Sequence, residues 1–295
     1  MTIRNVGIVG CGAMGAGIAQ LVLKSGYLVK VREVSQELLD KGLKKITDAL
    51  DGMERERVID SVEKKAMLKR LSSTVVLEEL DQCDLVIEAV SENLDVKTEV
   101  FTALDGSCKD SAIFASNTSS LSLTMIAAAT SRAKRFVGLH FFNPPSVMPL
   151  VEVIRTMTAD ESVVEEAIEF VRSLKKAPIL AKDSAGFIVN RLLTPYLLDA
   201  MVVVGNRLAS IEDIDAGMKL GCNYPMGPLM LADFIGLDVL YNAANIFFEE
   251  YKEKRYAPPP ILKQLVAMGH VGNKAGIGFY DWSDRKNPRP ADLVL

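Results

Sequence analysis

The sequence predicts an α/β fold: a Rossmann-type doubly wound sheet over residues 1–183, followed by an all-helical C-terminal domain over residues 184–295. Three observations predict it. Short apolar runs alternate with helical stretches through the first part, the pattern of parallel strands whose connecting helices cover both faces of a sheet. A glycine-rich turn, Gly10-Cys11-Gly12-Ala13-Met14-Gly15, sits between the first such run and the first helical stretch. After residue 184 the strand-like runs stop, apart from a possible one at "GFYDW", and long apolar helical stretches take over.

Element by element, "NVGIVG" reads as a strand and "GAGIAQLVLKSG" as a helix ending at Gly26. "YLVKVRE" is a second strand. "SQELLDKGLKKITDAL" follows as a helix, with Ser35 as its N-cap and apolar residues at helical spacing. "MERERVIDSVEKKAMLKRL" is highly charged and helical in period, a hairpin partner projecting from the sheet domain. Three apolar runs, "CDLVIEAV", "SAIFAS" and "RFVGLH", are separated by helix-like segments. "PLVEVIRT" is a further strand, followed by a helix near residues 161–175 and a last strand at "APILA". Beyond the boundary, "AGFIVNRLLTPYLLDAMVVV" reads as a long apolar helix and "SIEDIDAGMKL" as a short capped one. "PLMLADFIGLDVLYNAANIFFEEY" forms one or two more. The tail "SDRKNPRPADLVL" is expected to be poorly ordered.

Composition excludes several classes. The 295 residues suffice for a real core, and 49% hydrophobic with 24% charged residues is ordinary for a soluble globular protein. Net charge is -4, with Lys and Arg interleaved among acids and no basic tail, so no nucleic-acid partner is expected. "LLTPYLLDAMVVVG" is interrupted by Pro195 and Asp199 and is too short to span a bilayer, so no membrane partner is expected either. The start "MTIRNVGIVGCG" shows no cleavable signal pattern and runs into the first strand. Cys11, Cys83, Cys108 and Cys222 are scattered with no CxxC pair, which suits free thiols in a reducing cytoplasm and gives no metal site.

The glycine turn alone is a weak signal. Here it follows a strand, opens a helix, and is answered by Glu33 at the end of the next strand, which is the context a dinucleotide needs. Gly10 permits the tight turn, Gly12 lets backbone approach a pyrophosphate, and Gly15 allows close helix–strand contact. The helix N-terminus supplies N–H groups and partial positive charge to the phosphates. Glu33 can accept from both hydroxyls of an adenosine ribose and repels a 2′-phosphate, which favours NAD over NADP; Arg32 beside it softens that preference. The bland alternative is a glycine turn with no nucleotide.

Ligands in open α/β sheets bind beyond the carboxyl ends of strands. Three polar clusters lie at such ends: "EAVSENLDVK", "SNTSS" and His140. His140 precedes Glu152 by twelve residues, with Asn-Pro-Pro turning the chain between them. A carboxylate beside an imidazole fixes its tautomer and raises the basicity of the other ring nitrogen, making a general base. A lone buried histidine is more often satisfied by backbone; an acid within reach and a nucleotide site nearby shift the reading to catalysis. His270, in a glycine-rich loop, reads as a surface residue.

The motifs "GCGAMGAGIAQ", "VIEAVSENLDVK", "FASNTSSL", "GLHFFNPPSVMPLVEVI", "DSAGFIVNRLL", "YPMGPLMLADFIGLD" and "KAGIGFYDW", in this order over about residues 3–282, strongly resemble the L-3-hydroxyacyl-CoA dehydrogenase family. The resemblance implies NAD-dependent oxidation of the 3-hydroxyl of an acyl-CoA thioester, with His140 as base, Glu152 as its partner, and Ser119 and Asn190 holding the substrate oxygen or the histidine in an interdomain site. It implies cofactor contacts from Gly10, Cys11, Gly12, Ala13, Met14, Gly15, Glu33, Glu92, Lys97, Ser119, Asn143 and Lys274. It also implies a homodimer joined through the helical domain. Departures exist: the ribose acid is more often Asp, Pro149 stands where a lysine is common, and Ala49 stands where a CoA-contacting serine is found. Arg55, Arg57 or nearby lysines could meet CoA phosphates, although a solvated helix face is the plainer reading. A 6-phosphogluconate-type free-acid dehydrogenase resembles its relatives in a catalytic lysine that "GFIVNRLL" lacks. L-gulonate-type free 3-hydroxyacid dehydrogenases share the His-x-x-Asn-Pro segment and stand as the closer rival. A non-catalytic NAD-binding protein is the third reading.

Overall fold

A computed structural model describes residues 3–293 and divides into two compact units, Met1–Phe187 and Ile188–Leu295. In the first, β1 (Asn5–Val9), α1 (Ala13–Lys24), β2 (Leu28–Arg32), α2 (Gln36–Arg55) and α3 (Ser61–Lys69) lead to β3 (Leu71–Thr74). Then come β4 (Leu85–Glu88), α4 (Leu94–Ser107), β5 (Ile113–Ser116), α5 (Leu123–Ala128), β6 (Phe136–Phe141), β7 (Leu150–Arg155), α6 (Glu161–Ser173) and β8 (Ala177–Lys182). The eight strands form one sheet in the order β3-β2-β1-β4-β5-β6-β7-β8. The order reverses between β1 and β4, where such folds open a crevice. Fully buried strands β4, β5 and β6 carry the near-continuous apolar runs that sequence analysis identified.

Three features of this unit differ from expectation. The sheet is not wholly parallel: β7 runs antiparallel to β6, and β8 runs parallel to β7. Residues 142–149 contain no helix, and a parallel return needs a crossover of a dozen or more residues, so this short link can only fold back. The strand β3 has no apolar signature, because Ser72 and Ser73 are exposed at the sheet edge. The charged segment is not one helix. Helix α2 ends at Arg55, and α3 restarts after Asp60, whose side chain accepts from Val62 and Glu63 N–H while Glu63 reaches back to Asp60 N–H. Lys64 ties the two together, lying 2.5 Å from Asp51 and 2.7 Å from Glu54.

The second unit holds α7 (Val189–Gly205), α8 (Ile211–Cys222), α9 (Pro228–Ile235), α10 (Leu237–Tyr251) and α11 (Pro260–Ala267), the last not anticipated. It is helical, as expected, apart from one short ribbon. The strand β9 (Tyr280–Asp281) pairs antiparallel with β10 (Arg289–Pro290), and Ala291 N–H donates to the Phe279 carbonyl. The expected disorder of the tail therefore fails for residues 283–293; Val294 and Leu295 lie outside the described residues. Two buried carboxylates hold this ribbon down. Asp233 accepts from the N–H groups of Phe279 and Tyr280 at 2.9 Å and from Trp282 Nε1 at 2.8 Å. Asp215 accepts from Leu229 and Met230 N–H and from the Tyr280 hydroxyl.

Replacing Asp233 with Ala strands three buried donors, so the unit should lose about 3 kcal/mol or more. Trp282 is the only tryptophan, so denaturant unfolding followed by its fluorescence reads this directly. A change within about 0.5 kcal/mol, the range of an ordinary surface substitution, would contradict the anchoring role.

Candidate active site

The site begins where β1 ends. Gly10 adopts φ +91, and a Cβ there would lie 2.7 Å from the Ala89 carbonyl oxygen. A Cβ on Gly15 would overlap the Gly10 carbonyl, so helix α1 can start this close to β1 only with glycine at that position. Nothing lies within 4 Å of a Cβ built on Gly12. No side chain caps the N-terminus of α1. Its first N–H groups, around Ala13 and Met14, are therefore available to an anion. The Glu33 carboxylate, just past β2, accepts from Cys11 N–H at 2.5 Å and from Val34 N–H at 3.0 Å. A cleft of about 740 Å³ opens over these residues, walled by Met14, Leu38, Leu77, Val96 and Val100. An uncapped helix start, an open backbone at Gly12 and a carboxylate fixed just past β2 fit a dinucleotide.

Cys11 contributes backbone rather than side chain. Its buried thiol packs against α2, where a Cβ on Gly42 would overlap it, and burial pushes that thiol up to about 12. Sequence reasoning missed Gly42. It also missed Gly17 of α1, where a Cβ would come within 2.9 Å of Pro145 Cδ, so the Asn-Pro-Pro turn rests on this helix. A helical glycine without a turn carries no signal of such an approach.

The second cluster is organised by a buried cation. Lys97 is 1% exposed and lies 2.6 Å from Glu88 Oε1 and 3.3 Å from Glu92 Oε2. Glu88, wholly buried at the end of β4, also accepts from Ser116 Oγ and Val90 N–H. Glu92 Oε1 accepts from Thr118 Oγ, Ser119 N–H, Ser119 Oγ and Ser120 Oγ at 2.6–3.4 Å. Burial alone would raise the Glu92 carboxyl, but the Lys97 charge and these donors outweigh it and hold the group below the ordinary glutamate range. Lys97 and Glu92 were read from sequence as cofactor contacts. The geometry gives both a prior task, fixing the loop that carries Ser119. Glu88, which completes the network, was not singled out, because one acid inside an apolar strand looks like any strand-end residue.

The third cluster is His140. It is 5% exposed on β6, directly opposite Glu152 on β7, and its Nδ1 lies 2.6 Å from Glu152 Oε2. Glu152 is wholly buried. The imidazole also touches the rings of Phe142, at 4.7 Å between centroids, and Phe187, at 5.5 Å. Asn143 is exposed in the turn after β6, joined to Pro144 by a cis peptide bond. In the second unit, Asn190 is half-buried in the first turn of α7, and exposed Lys274 pairs with Asp238 at 2.7 Å.

A sheet with a nucleotide crevice, carrying a buried histidine–glutamate pair, narrows the field, and comparison with known proteins decides it. The model of the 3-hydroxyacyl-CoA dehydrogenase NAD-binding domain matches residues 5–184, and that of the family's C-terminal domain matches residues 186–282. The chain belongs to the 3-hydroxyacyl-CoA dehydrogenase family. It is 42% identical over 282 residues to the 3-hydroxybutyryl-CoA dehydrogenase of Mycobacterium tuberculosis (strain CDC 1551 / Oshkosh), covering 95% of this chain and 99% of that protein. Human mitochondrial hydroxyacyl-coenzyme A dehydrogenase is 41% identical over 287 residues, covering 95% of this chain and 91% of that one. The crystal structure of (S)-3-hydroxybutyryl-CoA dehydrogenase from Ralstonia eutropha superposes with a TM-score of 0.93 at 42% identity, covering 96% of this chain and 100% of that one. Membership in this family brings NAD as the cofactor.

Replacing Lys97 with Met leaves two acids facing each other without their cation, one of them fully buried. Removing one partner of a buried pair typically costs about 3–5 kcal/mol, and that is the loss expected near pH 7. In the parent, the depressed Glu92 value contributes stability that is present above the ordinary glutamate range and lost as pH falls through the lower folded value. In Lys97→Met the Glu92 carboxylate loses the cation that holds its value down, so the gap between variant and parent should narrow on acidification. Urea unfolding followed by circular dichroism across the acidic range measures it; a gap independent of pH would contradict the network.

Proposed function

We propose that this chain oxidises L-3-hydroxyacyl-CoA thioesters to 3-ketoacyl-CoA, reversibly, with NAD accepting the hydride and His140 acting as general base. The observation that carries the assignment is the pairing of His140 Nδ1 with buried Glu152. It directs the proton to Nδ1 and leaves Nε2 as the nitrogen that receives the substrate proton.

The chain's own residues then do the following. The open backbone at Gly12 and the start of α1 hold the pyrophosphate, and Glu33 holds the adenosine ribose. Bound NAD supplies an acceptor for the hydride from C3. His140 Nε2 removes the 3-hydroxyl proton as that bond breaks, and Glu152 stabilises the imidazolium that results. In the reverse direction, Nε2 returns the proton to the ketone oxygen. Ser119, held by Glu92, supplies a hydroxyl to the substrate oxygen. We extend that role to Asn190 on the resemblance of "AGFIVNRLL" alone. Lys274 and Asn143 keep their assignments as cofactor contacts on the same ground. The reading includes a homodimer through the helical unit, supported by exposed Leu192, Leu208 and Leu220, and a cytoplasmic location, supported by four unpaired cysteines.

Replacing His140 with Gln should leave NADH binding, followed by nucleotide fluorescence, unchanged while turnover of acetoacetyl-CoA falls by about 10²–10⁴-fold. Near-parental turnover would refute the base. Assays with free 3-hydroxyacids beside the CoA thioesters test the substrate class; a preference for the free acid would favour the L-gulonate-type reading, and no turnover of either would favour a nucleotide-binding protein without catalysis.

A further inference from the structure

We propose that Phe187 is a positioning residue for His140: an aromatic wall, from a separate chain segment, that holds the imidazole plane and so aims Nε2. The inference rests on the general-base reading above.

Gly186 and Phe187 are successive residues in the left-handed region, at φ +77 and +46, between β8 and α7. Glycine at 186 needs no explanation. Phenylalanine at 187 does, because a bulky side chain in this region is a steric outlier that persists only where surrounding contacts over-determine it. Backbone geometry alone would favour a second glycine. The side chain therefore compensates for the strain. It is 4% exposed, belongs to the apolar cluster containing Leu123, Phe136 and Ile154, and its ring lies 5.5 Å from that of His140 between centroids, tilted at an interplanar angle of 57°. The turn is closed by Phe187 N–H donating to the Ser184 carbonyl at 2.9 Å.

Why the imidazole needs this contact follows from its anchor. The hydrogen bond to Glu152 fixes Nδ1 but permits the ring to tilt about that bond. Phe142 also touches the ring, yet it follows directly on β6, the strand that carries His140. Phe187 is independent of that strand, so it can resist a tilt that Phe142 would follow.

Four variants separate positioning from packing: Phe187→Leu and Phe187→Met remove the aromatic ring but keep an apolar side chain, Phe187→Tyr keeps the ring, and Phe187→Gly relieves the backbone while deleting the side chain. Steady-state kinetics with NAD and 3-hydroxybutyryl-CoA are run below every variant's Tm. We expect kcat of the Leu and Met variants to fall about 10- to 100-fold, the range a small misplacement of a reacting group produces, with KM for NAD unchanged. Tyr should restore kcat, and Gly should lose it even where relief of strain limits the drop in Tm. With two histidines in the chain, the His140 ring resonances can be separated from those of His270, and they should broaden in the Leu variant and not in the Tyr variant. Parental kcat in Leu or Met, or kcat losses that simply track Tm across the series, would overturn the inference. Should Leu fail to fold, Met carries the same test, and failure of both to fold while Gly folds with parental kcat would also overturn it. If His140→Gln is inactive while Phe187→Leu is normal, only this proposal falls; if His140→Gln is active, the base assignment falls with it.

Discussion

The hydrogen bond between His140 and Glu152 depends on the register of β6 against β7. Residues directly opposite on an antiparallel pair point to the same face, with Cβ atoms about 4.5–5.5 Å apart. His140 and Glu152 are such a pair, flanked by Leu139 opposite Val153 and Phe141 opposite Val151, which point to the other face and are buried there. A slip of one residue would turn the polar pair into the apolar layer and the apolar residues out of it, so core burial itself enforces the pairing of the imidazole with the carboxylate. The short Asn-Pro-Pro link makes the strands antiparallel, and its Pro145 is seated on α1 at Gly17. The same helix therefore starts at the nucleotide loop and braces the turn that sets the register.

A second constraint is electrostatic. Lys97 sits inside the protein between Glu88 and Glu92, and burying either Lys97 or Glu88 without the other would be strongly unfavourable. The arrangement fixes one carboxylate oxygen of Glu92 where it collects the Thr118, Ser119 and Ser120 donors, so a loop of small polar residues becomes rigid without a helix or strand of its own. Strand β4 thus positions the loop after β5 through charge, much as β7 positions the histidine of β6 through register. Both devices place polar groups at strand ends on the side where an open sheet receives its ligand.

How much of this could be read beforehand varied with the kind of signal. Strands β4, β5 and β6 announced themselves because both faces are buried, and Ser35 announced helix α2 by its cap. Edge strand β3 stayed hidden because Ser72 and Ser73 face water, where nothing demands apolar residues. The β10 pairing stayed hidden because two residues of a tail, one of them a proline, carry no periodicity. His140 with Glu152 was legible because the link between their strands had to turn. Glu88 was not, since its importance lies in partners nine and twenty-eight residues away rather than in any local pattern.

The glycines show why a strong sequence motif is not by itself a sign of chemistry. In "YPMGP" and "GIGFYDW", a side chain on Gly227 or Gly278 would collide with the carboxylates of Asp215 and Asp233, and those carboxylates are already satisfied by protein N–H and hydroxyl donors. These glycines make room for the protein. Gly10 and Gly15 do likewise, since each would strike backbone of its own domain. Gly12 is different. It lies between those two at the start of an uncapped helix, with nothing near the position a Cβ would take and an open cleft above it. Packing gives no reason to forbid a side chain there, and the N–H donors of the adjoining helix start suit an anionic group such as a pyrophosphate.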